Sequence, residues 1–151
     1  MKVLFVNLVY GTGSTGKIIA DIMNLLKKHG NDVKALYGTG VCSDNADAVK
    51  VSGDFGYYFH NAVSRFTDHA GLYSWAATRK MIREIRAFQP DLIHLHTLHG
   101  FYVNYEMLFR FLKEANIPVV WTLHDCWTFT GHCTHFSQVK CVQWQTECRD
   151  C

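Results

Sequence analysis

Lys2-Val3-Leu4-Phe5-Val6-Asn7-Leu8-Val9-Tyr10-Gly11-Thr12-Gly13-Ser14-Thr15-Gly16-Lys17 is the stretch that decides the fold. A short apolar, β-branched run (2–9) reads as a buried strand. A glycine-rich turn (11–16) follows. Behind it, Ile18, Ile19, Ile22, Met23, Leu25 and Leu26 recur with a helical period up to His29, and Gly30 supplies the stop. Strand, glycine turn and helix in that order open a βαβ unit.

The alternation continues outward from there. Residues 33–37 form a second strand closed by Gly38 and Gly40, and residues 46–51 a short third one. Residues 54–71 are aromatic-rich and partly helical. Residues 74–88 are a basic amphipathic helix stopped before Pro90. A buried strand at 92–95, a helix at 105–115 ahead of Pro118, and a strand at 119–123 complete the pattern. Strands alternating with helices of this length predict an α/β, Rossmann-like, doubly wound and mainly parallel sheet of five or more strands. Residues 1–131 read as that domain and residues 132–151 as a cysteine-rich tail. The chain stops on Cys151 with no closing element, which reads as a fragment of a longer protein.

Bulk properties narrow the function. The 151 residues suit one domain, with 48% apolar and 19% charged residues. A net charge of +2 is too weak to argue for nucleic acid. No apolar run approaches the roughly 20 residues that span a bilayer, and the N-terminus lacks the length and cleavage site of a secretory signal. A cytoplasmic protein, peripheral to the membrane at most, is expected.

In open parallel sheets, ligands bind beyond the C-terminal ends of the strands. Residues 10–17, 96–104 and 124–130 lie there. Gly11, Gly13 and Gly16 match the G-x-G-x-x-G dinucleotide fingerprint, and with Lys17 they nearly match a phosphate-binding G-x-x-x-x-G-K-[ST] loop. Ile18 cannot supply the magnesium-binding hydroxyl. The second strand ends in Tyr37-Gly38 without the acid that would hold a ribose. What remains is close backbone approach and free helix N–H groups, or simply a tight turn. His94 and His96 share one side of their strand. They can bind metal, donate to a ligand hydroxyl, or, for His94, sit hydrogen-bonded in the core. His124 emerges at a strand end beside Asp125, placed to orient a hydroxyl or to cap the loop.

Cys133, Cys141, Cys148 and Cys151 supply four thiols, enough for one structural zinc with no open position. His132 and His135 are substitute ligands, and an iron–sulfur cluster, disulfides and plain unligated thiols are the alternatives. Phe55, Tyr57, Tyr58, Phe59, Phe66, Tyr73 and Trp75 precede a helix bearing Arg79, Lys80, Arg83 and Arg86. Aromatics in a core beside a solvated basic face is the preferred reading. A surface resting on anionic lipid is the other.

Taken together, KVLFVN with GTGSTGK, PDLIHLHTLHGFYVNYEMLF and IPVVWTLHDCWTFTGHC resemble the family 4 glycosyltransferases of the GT-B fold, in the group serving polysaccharide and colanic-acid-type biosynthesis. The cysteine tail is similar to that group as well. The resemblance implies the N-terminal, acceptor-side half of a retaining, metal-independent transferase. Its partners would be a nucleotide-sugar donor, a glycan or lipid-linked acceptor, and a C-terminal GT-B domain with an E-x7-E motif that this chain does not contain. It implies His124 in the cleft as the catalytic residue, and Gly13 in the loop facing donor phosphates or acceptor. His96 and Asn104 fall in the acceptor-side segment. No catalytic cofactor is implied, and the isolated chain is expected to be inactive. The glycine pattern alone would suggest a nucleotide-binding oxidoreductase or epimerase. A stand-alone, zinc-stabilised binding module is a third reading.

Overall fold

The computed structural model describes residues 1–41, 44–67, 69–130 and 133–147. In chain order the elements are β1 (Lys2–Asn7), α1 (Gly13–Lys28), β2 (Asp32–Tyr37), β3 (Ala48–Lys50), α2 (Asp54–Thr67), α3 (Trp75–Phe88), β4 (Leu92–Leu95), α4 (Tyr105–Ala115), β5 (Val119–Trp121) and α5 (Trp127–Thr130). Two short 3-10 turns, Phe136–Val139 and Gln143–Gln145, give the tail local structure that its sequence did not announce.

The five strands form one sheet in the order β3-β2-β1-β4-β5, and every neighbouring pair is parallel. This is the expected α/β Rossmann-like sheet. Strand order reverses between β1 and β4, so the topological switch point lies there.

Alternation along β1 sorts the two cores. Val3 and Phe5 face α1 and pack with Ile19, Met23, Val33 and Ala35. Leu4 and Val6 face the opposite side, where Ile93 and Leu95 meet Met81, Ile82 and Ile85 of α3 and Leu108 and Phe111 of α4. Full burial of each such side chain is worth about 1.5–3 kcal/mol, so β1, buried on both faces, anchors the domain.

Several boundaries differ from expectation for local reasons. Helix α1 begins at Gly13, so the second half of the glycine stretch is already helical. Gly11 and Gly13 take φ of +68° and +62°, which glycine adopts without strain. Gly16 is buried, and a Cβ there would lie 3.1 Å from Val9 Cγ2 and 3.2 Å from the Gly11 nitrogen. The third glycine therefore lets the helix pack on its own loop. β1 stops at Asn7 and β5 at Trp121, each about two residues early, where side-chain hydrogen bonds replace the ladder.

The aromatic middle departs from the preferred reading. Phe55, Tyr58, Phe59 and Phe66 of α2 are exposed, and the helix buries His60 and Ser64 instead.

Candidate functional site

The site grows from the C-terminal edge of β1 and β4. Asn7, the last residue of β1, is buried. Its amide donates to the Val9 carbonyl at 2.8 Å and to Thr15 Oγ1 of α1 at 3.2 Å. Its Oδ1 accepts from the Thr97 N–H at 3.0 Å. One side chain thus joins the glycine loop, the start of α1 and the segment after β4. Tyr102 braces the same segment: its hydroxyl donates to the Thr97 carbonyl at 2.8 Å. Its ring lies over Gly38, where a Cβ would come within 2.2 Å of it. Burial pushes the Tyr102 phenol well up, so it stays protonated.

Three imidazoles form a stack on this edge. His94 and His96 point to one side of β4, with ring centroids 4.2 Å apart. His96 then stacks on His124, 5.1 Å away and 18° from parallel. His94 Nε2 lies 2.8 Å from Thr122 Oγ1, and His96 Nδ1 lies 2.8 Å from His124 Nε2. His96 is 2% exposed. Burial, reinforced by His94 and His124, holds its imidazole down to about 3, so it is neutral at physiological pH. His94 is lowered for the same first reason, with His124 adding to it.

The stack fixes a tautomer. Only one hydrogen can lie between His96 Nδ1 and His124 Nε2. His96 Nε2 is buried with no hydrogen-bond partner among the described residues. A buried orphan N–H is rarer in proteins than an under-used acceptor. The hydrogen therefore belongs on His96 Nδ1, which donates to His124 Nε2. Neutral His124 then carries its own proton on Nδ1, available as a donor.

Asp125 completes the edge. Its Oδ2 lies 2.6 Å from His99 Nε2, and its Oδ1 accepts from the Trp127 N–H at 3.0 Å. The Trp121 indole donates to the His96 carbonyl at 2.8 Å, tying β5 to the β4 loop. A small cavity of about 220 Å³ opens beside this pair, walled by Gly71, His99, Phe101, Tyr105 and Trp127.

The structure brings His96, His124 and Asp125 together, and links them through Asn7 to the loop of Gly11, Gly13 and Gly16. Of these, Gly11 and Gly13 are exposed, Gly16 is buried, and His96 lies behind His124. Asn104 sits apart as the N-cap of α4: it is buried, Oδ1 accepts from Met107 N–H at 2.9 Å, and Nδ2 donates to the Leu72 carbonyl. That amide is committed to holding the fold. Cys133 and Cys141 are half-buried in the tail, while Cys148 and Cys151 lie outside the described residues. Among the described residues, no three His, Cys, Asp or Glu side chains converge as a metal would need. Sequence reasoning missed Asn7 and His99. Asn7 ends a buried strand with a polar residue, a readable signal; the His99–Asp125 pair spans 26 positions and leaves none.

The profile of Glycosyltransferase Family 4 matches residues 15–145. The chain belongs to that family. Over 71 residues it is 34% identical to an Escherichia coli (strain K12) protein named "Putative colanic acid biosynthesis glycosyl transferase WcaC", a match covering 44% of this chain and 17% of the relative. The matched region thus spans about a sixth of that relative's length. Membership in glycosyltransferase family 4 fits a Rossmann-like sheet with its polar groups at the switch-point edge. No helix among the described residues is long and apolar enough to cross a membrane.

Proposed function

We propose that this chain is the acceptor-side half of a retaining glycosyltransferase of polysaccharide biosynthesis. It would transfer a sugar from a nucleotide-sugar donor to a glycan or lipid-linked acceptor, with a second GT-B domain closing the cleft. The observation that carries this reading is the His96–His124 pair at the switch-point edge of a family 4 chain. His96 fixes the ring of His124 and leaves its Nδ1–H as a donor toward a sugar hydroxyl. The glycine loop offers backbone N–H groups to the diphosphate or the acceptor. In a front-face retaining transfer the leaving phosphate itself takes the acceptor proton, so these residues contribute position and electrostatic stabilisation rather than a general base.

The test is His124→Ala in the complete enzyme. Losing one pre-set donor should lower transfer by about a hundredfold, the usual scale for such a group, in a protein that still folds but melts somewhat lower, because the buried His96 Nδ1–H loses its acceptor. Unaltered transfer by a folded variant would remove His124 from the mechanism. The 151 residues alone should show no turnover with any nucleotide sugar, since one wall of a cleft neither excludes water nor grips the donor.

A structural zinc held by Cys133, Cys141, Cys148 and Cys151 belongs to the same proposal, resting on the thiol count and the final C-x-x-C. Metal analysis of the purified protein should find zinc that is lost in Cys133→Ser. A metal-free, stably folded protein would end that part of the reading.

A further inference from the structure

The cavity of about 220 Å³ beside the His99–Asp125 pair is a built space that the role of His124 leaves unused. Its walls are tied together by the fold. The Gly71 carbonyl accepts from the Tyr105 N–H at 2.8 Å, and Gly71, at φ +84°, has no Cβ to displace the Tyr105 ring. His99 Nε2 meets Asp125 Oδ2 at 2.6 Å, and Asp125 Oδ1 holds the Trp127 N–H. The Thr134 carbonyl accepts from the Cys126 N–H at 3.0 Å. His99 and Trp127 also line the narrow gap next to His96 and His124, so they form the partition between the cavity and that edge.

The lining is aromatic with a small polar complement. Trp127 lies between Tyr105, with ring centroids 5.0 Å apart, and His99, at 5.7 Å, and Phe101 adds a further apolar wall. A carboxylate only accepts, so His99 Nε2–H donates to Asp125, and in the neutral ring Nδ1 is left as an acceptor. Burial pushes the Tyr105 phenol up, so it keeps its proton as a donor. Among the described residues no lysine or arginine lines the cavity, and the formal charge beside it is that of Asp125. The volume lies below the about 300–1,000 Å³ of sites for drug-sized ligands. It suits one sugar ring and is too small for a nucleotide sugar.

We propose that this cavity binds one uncharged pyranose ring of the acceptor glycan, the ring next to the one presented at His124. A pyranose has a face of C–H groups that packs on the negative face of an aromatic ring, and a rim of hydroxyls that both donate and accept. Trp127 matches the face. His99 Nδ1 and the Tyr105 hydroxyl match the rim. A nucleotide would find no cation for its phosphates, and an alkyl chain would leave both polar groups unpaired. A hexuronate would bring its carboxylate toward Asp125. That the ring belongs to an acceptor rests on the transferase reading above; that the cavity takes an uncharged sugar does not.

Saturation-transfer NMR on the complete protein tests it, with the methyl pyranosides of glucose, galactose, mannose, fucose and glucuronic acid as probes. At least one neutral glycoside should bind with a dissociation constant of about a millimolar, the scale for a ligand of that size. The glucuronide should bind about tenfold more weakly or not at all. Trp127→Ala should weaken the best neutral glycoside by about tenfold or more. Tyr105→Phe keeps the ring on Gly71 and removes one oxygen, so it tests the site even where Trp127→Ala fails to fold; it should weaken binding several-fold. The proposal is overturned by silence from every neutral glycoside, by a glucuronide that binds as well as they do, or by binding that Tyr105→Phe leaves unchanged. Sugar transfer by the complete enzyme is scored separately. Transfer without glycoside binding refutes the cavity alone, whereas binding through Tyr105 and Trp127 without transfer supports the cavity and refutes the transferase reading.

Discussion

Acid should unfold this protein through His96. In the fold its imidazole is held neutral down to about pH 3, whereas in the unfolded chain it titrates near 6.5. The sign follows from proton counting. Above pH 6.5 both states are neutral there and His96 contributes no pH dependence. Below 6.5 the unfolded state binds a proton that the folded state refuses, so stability falls as pH falls. The loss is about 1.4 kcal/mol per pH unit, hence about 2 kcal/mol by pH 5 and about 5 kcal/mol by pH 3, where it levels off. That last figure equals the whole stability of a marginal domain. His94 and His60 are shifted down by burial as well and act in the same direction. Urea melts at pH 7.5, 6.5, 5.5 and 5.0 measure the slope in a window where ordinary carboxylates remain ionised. His96→Phe keeps a ring against His94 and His124 but cannot bind a proton. Its slope between pH 6 and 5 should be shallower than the parent's by about 1.4 kcal/mol per unit. Equal slopes would mean that His96 is protonated in the fold, and the tautomer assigned to His124 would fall with it.

Backbone geometry and capping yield further expectations. Gly71→Ala should destabilise by about 3 kcal/mol or more, because φ is +84° and the added Cβ would lie 1.6 Å from Tyr105 Cε2; a thermal melt within a degree or two of the parent would contradict it. Asn104→Ala should cost about 1–2 kcal/mol, combining a lost α4 cap with the loss of its bond to the Leu72 carbonyl, read by urea denaturation. Asn7→Leu should keep the volume of the strand end but unpair the Thr97 N–H, giving faster amide exchange at Thr97; unchanged protection there would show that the Asn7 amide does not hold the segment after β4.

The fold was legible wherever a local period carried it. The limits of β4 and α4 match the apolar spacing of residues 92–95 and 105–115, and the stops at Gly30 and before Pro118 match as well. The glycine loop was placed correctly between β1 and α1, but its second half is helical, because the helical period begins only at Ile18 and glycine propensity argues against an earlier start. The orientation of α2 was not legible. Its stripe has the periodicity of a core helix, and periodicity says which residues share a face without saying which way the face points. That direction is set by His60, Gly71 and Ser74, whose pairing depends on tertiary placement. Likewise the two-residue period put His94 and His96 on one side of a strand, yet nothing local joined them to His124, 28 positions later. Asn104 entered only through the family resemblance; its role as the N-cap of α4 is visible in the fold.

The parallel topology explains why these distant segments form one site. β1 and β4 are neighbours whose chains leave toward opposite faces of the sheet, α1 on one side and α4 on the other. The gap opened by that divergence must either be filled or bind something. Asn7 fills its floor, satisfying the loop carbonyl of Val9, the first turn of α1 and the Thr97 N–H with three of its amide's hydrogen-bonding positions. Above it the strand-end groups form a graded series: His96 is buried and neutral, His124 is half-exposed, and Gly11 and Gly13 are open to solvent. The buried members are held by the fold, and His96 fixes His124 through its Nδ1–H. The Nδ1–H of His124 is thereby oriented by the fold itself, the condition under which the donor role proposed for it would contribute most to a charged transition state.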